Sequence, residues 1–176
     1  MVFLQTDRLK LRNVEQRDAG VMFDYRNNEL CARYQRGQTK NLAGIDQLIR
    51  DHCGDLLGVE NNCLVAIENR ETGEMVGEIV VMPCEGTISF GYTFHYCHHR
   101  KGYACEALGA LIELLHGKYP QWDFICFTDP DNTASRNLLV KLGFQDMGYL
   151  ASRSSQIYGK WLRADSEAEI AAAIGS

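Results

Sequence analysis

The nine residues His99-Arg100-Lys101-Gly102-Tyr103-Ala104-Cys105-Glu106-Ala107 set two cations and a glycine directly ahead of a stretch patterned as a helix. That order suits a phosphate. The first N–H groups of a helix lack partners within it, the helix dipole is positive at that end, and Arg100 and Lys101 add charge. Gly102 lets main chain approach a ligand closely, and Ala104 keeps the next contact small. An ordinary strand-to-helix turn with solvated basic residues fits the same nine residues. A second stretch, Asn132 to Phe144, reads as a helix capped at Asn132 and ended by Gly143, with an apolar residue entering a strand. Taken alone, Asn132 is a cap and Ser135 a first-turn residue that satisfies a backbone group.

Other chemistry-bearing residues are less patterned. His95, His98 and His99 cluster before the turn without a fourth ligand at metal-site spacing, so no metal is expected. The seven cysteines, Cys31, Cys53, Cys63, Cys84, Cys97, Cys105 and Cys126, are odd in number and form no C-x-x-C pair. They are expected to be reduced and to pack as small core residues. Glu78 falls on a strand, where a solvated face explains it and a general base is the alternative. Glu106 lies one turn into a helix, where a negative charge complements the dipole.

Hydrophobic periodicity supplies the elements that must hold these residues. Leu9 and Leu11 alternate with Arg8, Lys10 and Arg12, which predicts a strand over Thr6 to Asn13 with one wet face. Two helices follow, from Asp18 as N-cap to Asn27 and from Asn41 to Asp55, the latter with Ile45, Leu48, Ile49 and Cys53 on one face. Strands over Cys63 to Asn69, Met75 to Pro83 and Thr87 to His95, parted by Glu71-Thr72-Gly73 and Glu85-Gly86, make an antiparallel meander. The chain then switches to helix (Tyr103 to Tyr119, with Leu108, Leu111 and Leu115 in the core), strand (Phe124 to Thr128) and helix (Asn132 to Leu142). Terminal strands are predicted near Phe144 to Leu150 and Ser154 to Trp161, and a short helix from Asp165 to Ile174. The order implies an α/β fold, a mixed sheet flanked by helices, with a strand-helix-strand crossover between about residues 87 and 128.

Composition bounds the rest. A chain of 176 residues, 45% hydrophobic and 23% charged, fits one domain over 1–176 with a core of about 6–162 and a tail of 163–176. No stretch approaches the roughly 18 apolar residues of a membrane span, so a soluble, untargeted cytoplasmic protein with no membrane partner is expected. A net charge of -5 disfavours broad nucleic-acid binding and leaves cationic amines compatible.

Taken together, the two stretches resemble the GNAT superfamily of N-acetyltransferases. Its [QR]-x-x-G-x-[GA] signature opens the coenzyme A helix, and an N-x-x-[SA] helix ends in K-x-G-F; here these are His99 to Ala104 and Asn132 to Phe144. The branch most resembled is the RimJ/RimL type of ribosomal-protein N-terminal acetyltransferase. It is matched by Thr6-Asp7-Arg8-Leu9-Lys10-Leu11-Arg12, by Thr72-Gly73-Glu74-Met75-Val76-Gly77-Glu78-Ile79 and by Ser89-Phe90-Gly91-Tyr92. The resemblance spans about residues 6 to 161. It departs from the pattern at His99, where Gln or Arg is usual, and at Arg100, where this branch often has Gly; coenzyme affinity is what those changes bear on.

The resemblance implies a sheet of about seven mostly antiparallel strands with a central splayed parallel pair and about four helices. It implies acetyl-CoA as co-substrate, attacked directly by an amine in a ternary complex, with no metal. The pantetheine arm would lie along Phe94, His95 and Tyr96, where a backbone N–H could also hold the oxyanion, a contact worth about 2.7 to 4 kcal/mol in known cases. The phosphates would meet His99, Arg100, Lys101, Gly102, Tyr103, Ala104 and Cys105, and the second helix would contribute Asn132, Ser135 and Asn137. Many members carry a proton-donating Tyr where this chain has Leu139, so Ser135 is the implied donor to the leaving thiolate. Tyr96 and Glu78 are further catalytic candidates, and His95 or Tyr96 could relay a proton. Dimers are common in the family.

Protonation ranks the acceptors. An α-amine with a pKa near 7.7 to 8.0 is neutral about a tenth of the time at pH 7, whereas a lysine near 10.4 is neutral about once in a few thousand. The expected acceptor is therefore the α-amine of a peptide or protein. A small amine of polyamine or antibiotic type, or a non-catalytic acyl-CoA-binding module, is the alternative.

Overall fold

A computed structural model describes residues 1–174 of the chain; Gly175 and Ser176, the end of the expected tail, lie outside the described residues. The alternating segment at its start is a hairpin, β1 (Val2–Gln5) and β2 (Leu9–Asn13), where one strand from Thr6 is predicted. Thr6 closes the turn: its N–H donates to Leu9 O, and its Oγ accepts from Leu9 N. The predicted wet face is also corrected, because Arg12 is 2% exposed. Its guanidinium donates to Asp18 at 2.8 Å and to Glu68 at 2.6 Å, so Asp18 spends its carboxylate on Arg12 and makes no side-chain cap for the helix after it. Charges this deep persist only when paired, and this trio is.

The chain continues through α1 (Ala19–Asn27), the unpredicted single turn α2 (Glu29–Ala32) and α3 (Leu42–His52). The meander follows as β3 (Cys63–Asn69), β4 (Met75–Cys84) and β5 (Thr87–Phe94). Then come α4 (Tyr103–Lys118), β6 (Asp123–Thr128), α5 (Thr133–Lys141), β7 (Gln145–Leu150), β8 (Ser155–Lys160) and α6 (Ala164–Ile174). The sheet has eight strands in the order β1-β2-β3-β4-β5-β6-β8-β7, one more than predicted because of β1. All neighbours are antiparallel except β5 and β6, the pair bridged by the α4 crossover.

Both faces of the sheet are covered, which is why β3 is buried almost from end to end. Val65 and Ile67, with Ile79, Val81 and Phe90, pack against Leu108, Leu111 and Leu115 of α4. Leu64 and Ala66 face the other way, onto Met22, Tyr25, Ile45 and Ile49 of α1 and α3. Side chains alternate along a strand, so one stretch of β3 serves both layers. Among the cysteines only Cys31, Cys63 and Cys126 are buried; Cys53, Cys84 and Cys97 are exposed, which corrects the expectation that all are core. No described helix is long and apolar enough to cross a membrane.

The feature that positions a site is the parallel pair. β5 and β6 are in register only at Thr87 with Asp123 and Ile88 with Phe124. Beyond that the strands part, while β6 keeps its pairing with β8 from Phe124 to Thr128. A wedge opens between two strands whose other edges remain bonded.

Candidate active site

The wedge holds a cleft of about 230 Å³, walled by Phe90, Gly91 and Tyr92 of β5, Cys126 to Asp129 at the end of β6, and Asn132, Ser135 and Leu139 of the α5 segment. Asn132 caps α5, its Oδ1 accepting from Ser135 N at 3.1 Å, as its residue type alone suggests. Ser135 does more than fill a first turn. Its Oγ lies 2.6 Å from the Tyr92 hydroxyl, across the wedge from one wall to the other. Burial pushes the Tyr92 phenol well above the ordinary tyrosine range, so it stays protonated. Tyr92 was not among the site residues read from sequence. The available signal was parity, since Tyr92 shares the α4 and α5 face with Phe90 and Phe94. Asn137 is exposed on α5 and does not line the cleft.

Along β5 the carbonyls of Tyr92 and Phe94 are held by side chains. Gln35 Nε2 donates to Tyr92 O at 2.9 Å, His99 Nε2 to Phe94 O at 2.8 Å, and Cys31 Sγ to Phe94 O at 3.3 Å. A carbonyl only accepts, so Nε2 of His99 carries the proton. His99 is thus a donor to a carbonyl of β5. His95 and Tyr96 lie past the strand end. His95 N is taken by Val76 O, while His95 Nε2 and Tyr96 Oη both reach Asp24 Oδ2, at 2.9 and 3.0 Å. Neither side chain lines the cleft. The hydrogen bond to Asp24 raises the Tyr96 phenol above the ordinary tyrosine range.

The basic turn has the backbone of a cradle. Arg100 and Gly102 both adopt the left-handed region, with φ of 61° and 81°. Glycine takes such angles without strain, whereas Arg100 adopts them with a side chain. The first regular bond of α4 runs from Glu106 N to Gly102 O, so the N–H groups of Tyr103, Ala104 and Cys105 precede the bonded ladder. Arg100 and Lys101 are exposed beside them, and Cys105 is half-buried in the helix. The hairpin braces the turn: Arg8 donates to Lys101 O at 2.9 Å and to Glu106 at 2.7 Å, and stacks 4.8 Å from the Tyr103 ring centroid.

Glu106 also accepts from Thr6 Oγ at 2.5 Å. Burial opposes its ionisation, but the bonds from Thr6 and Arg8 outweigh burial and hold its carboxyl below the usual range. A lowered folded pKa stabilises the fold above the unfolded value, near about 4.3, and that contribution is lost as pH falls through the folded value. Glu106→Gln should therefore lower the melting temperature at pH 7 by the equivalent of under about 1 kcal/mol, with the gap to wild type closing below about pH 4. A gap that persists unchanged at acid pH would place the effect elsewhere.

On the opposite face, Glu78 is 2% exposed, which corrects the expected solvated strand face. Its carboxylate accepts from Tyr25 Oη at 2.7 Å, Arg26 Nη2 at 2.7 Å and Gln38 Nε2 at 3.0 Å. Lone pairs engaged in this way are not free to take a proton from a substrate. Beside it lies a second cavity of about 320 Å³ with an apolar floor of Leu48, Leu64, Val80 and Met82. His52 stands at its rim, with Nδ1 2.8 Å from Asp55. The loop after α2 straps across both cavities. Tyr34 donates to Asp131 O at 3.1 Å, and Arg36 to Arg153 O at 3.1 Å and Ser154 O at 3.2 Å. Gln35, Arg36, Met82, Gly91 and Tyr92 line both cavities, so the two meet at the middle of β5. Among the described residues, no group of three His, Cys, Asp or Glu side chains gathers as metal ligands.

A sheet opened at its one parallel pair, with a left-handed entry to the helix beside it, defines an α/β protein with a cleft between two strands. Residues 8–145 match the acetyltransferase (GNAT) domain family, and the chain belongs to that family. It is 29% identical to the uncharacterized N-acetyltransferase YoaA of Bacillus subtilis over 84% of this chain and 85% of that one. Its fold is similar to RimL, the ribosomal L7/L12 alpha-N-protein acetyltransferase, in complex with coenzyme A, with a TM-score of 0.74 at 14% identity over 91% and 97% of the chains. It is equally similar, at 0.74 and 18% identity over 88% and 93%, to the microcin C7 self-immunity acetyltransferase MccE in complex with acetyl-CoA and AMP.

Proposed function

We propose that this protein transfers the acetyl group of acetyl-CoA to the α-amine of a peptide or protein N-terminus, by direct attack in a ternary complex. The observation that carries the proposal is the meeting of two cavities at Gly91 and Tyr92. The wedge suits an extended thioester, and the second cavity brings the amine to the same strand from the other face. The residues fit the donor. The N–H groups of Tyr103, Ala104 and Cys105 with Arg100 and Lys101 would hold the pyrophosphate, and Gly102 leaves room for it. Ser135 would protonate the departing thiolate. Asn132 sets the helix turn that aims it.

The lining of the second cavity favours an α-amine over a polyamine. Its one carboxylate is Glu78, already neutralised by Arg26, so nothing there holds a second positive charge. Likeness to RimL supports a peptide acceptor, and likeness to MccE keeps a small amine as the second reading. Seven unpaired cysteines fit work in the reducing cytoplasm.

The amine must be neutral to attack, so the rate should rise with pH as it deprotonates, with an apparent pKa near 8 for an α-amine and well above for a lysine. Initial rates at saturating acetyl-CoA, from about pH 6 to 9.5, compare a peptide with a free N-terminus against the same peptide blocked there but carrying lysine. The free peptide is expected to be faster throughout. Equal or better rates on the blocked peptide would remove the α-amine assignment, and turnover of small amines alone would favour the second reading.

A further inference from the structure

Tyr92 and Ser135 come from opposite walls of the wedge, one on β5 and one in the first turn of α5, and their oxygens are 2.6 Å apart. Ser135 is 9% exposed, and both residues line the cleft. Position 139, where many relatives would place a tyrosine, is a buried leucine, 2% exposed. We infer that Tyr92 supplies the phenol missing from α5, acting as the positioning residue that feeds a proton through Ser135 Oγ to the departing coenzyme thiolate.

The inference rests on the acetyltransferase reading above. A phenol is a stronger acid than an aliphatic alcohol, so the proposed relay takes, of the two directions this contact allows, the one in which the Tyr92 O–H donates and Ser135 Oγ accepts. That leaves the serine proton free to point into the cleft. When the amine nitrogen bonds to the acyl carbon, the C–S bond breaks and its electron pair stays on sulfur. Sulfur takes the Ser135 proton, Ser135 takes the Tyr92 proton, and the phenolate recovers one, through water, from the nitrogen that has become an amide. The net transfer is one proton from the acceptor nitrogen to the thiol. Each oxygen returns to its starting state. The N-terminus of α5 favours the negative charge that passes between sulfur and the two oxygens.

The test is Tyr92→Phe, which keeps the ring packed against the core beside the cleft and removes only the hydroxyl. Turnover should fall about ten- to a hundredfold, while the Kd for coenzyme A stays within a few-fold. In mixtures of light and heavy water, the wild-type rate should bow with isotope content, as two protons in flight require, and the variant should respond linearly. Combining Tyr92→Phe with Ser135→Ala should cost no more than Ser135→Ala alone, because the phenol acts only through the serine. Wild-type turnover in Tyr92→Phe, fully additive losses, or parallel losses of turnover and coenzyme binding would each overturn the inference. A wild-type protein that releases no thiol from acetyl-CoA with any peptide or small amine would instead remove the acetyltransferase reading itself.

Discussion

A Gly102→Val protein is expected to bind acetyl-CoA on the order of a hundredfold more weakly than wild type while still folding. Two effects combine. At φ of 81° a β-branched residue is strained by about 1 to 3 kcal/mol, so the turn relaxes and carries the N–H groups of Tyr103 to Cys105 away from the positions in which they converge. The added side chain also occupies the approach that a phosphate needs. Within the protein the new Cβ would lie 3.3 Å from Nη2 of Arg8, the mobile end of an exposed side chain, so the steric cost to the fold is small. Each tenfold in Kd corresponds to about 1.4 kcal/mol, so strain and lost contacts together reach the expected hundredfold. Calorimetric titration with acetyl-CoA, beside a thermal melt, separates binding from folding. Unchanged affinity would show that the turn is not the phosphate site.

Ser135→Ala should slow turnover about ten- to a thousandfold with coenzyme affinity held within a few-fold, because in the proposed reaction the serine acts on a thiolate that forms only as the bond breaks. A thiol with a reference pKa near 8.5 is a fair leaving group, which keeps the loss below that of a poor one. The substitution also strips the Tyr92 hydroxyl of its partner in a buried wall, so a stability loss of about 1 to 3 kcal/mol is expected beside the kinetic one. Turnover measured well below the variant's melting temperature keeps the two apart. A variant as fast as wild type on its best acceptor would return Ser135 to an ordinary helix-turn residue.

Local chemistry was legible wherever neighbours in sequence are neighbours in space. The basic turn, the Asn132 cap, the meander and the crossover helix depend on periodicities of two and 3.6 and on residues three or four apart. Their order implies the α/β class and sets the basic turn at the start of α4. Even so, a strand beginning at Thr6 is not what forms: Thr6 closes a turn between β1 and β2 through its hydrogen bonds with Leu9.

The sequence by itself determined the elements and the two signature segments, since each is written in contiguous residues. Tertiary structure decided which side chains share a wall. Glu78 reads as a solvated strand residue until Tyr25 and Arg26 of α1 and Gln38 of the strap close on it. Tyr92 meets Ser135 across 43 positions of chain, and His99 turns back onto Phe94 O. Those pairings follow from β5 and β6 parting after two residues of register, and no local propensity encodes that divergence. It arises only when β6 is bound along its length to β8, which follows α5 and β7 in the chain, while β5 is bound to its hairpin partner β4, so that the gap is fixed by pairings on the outer edges of both strands.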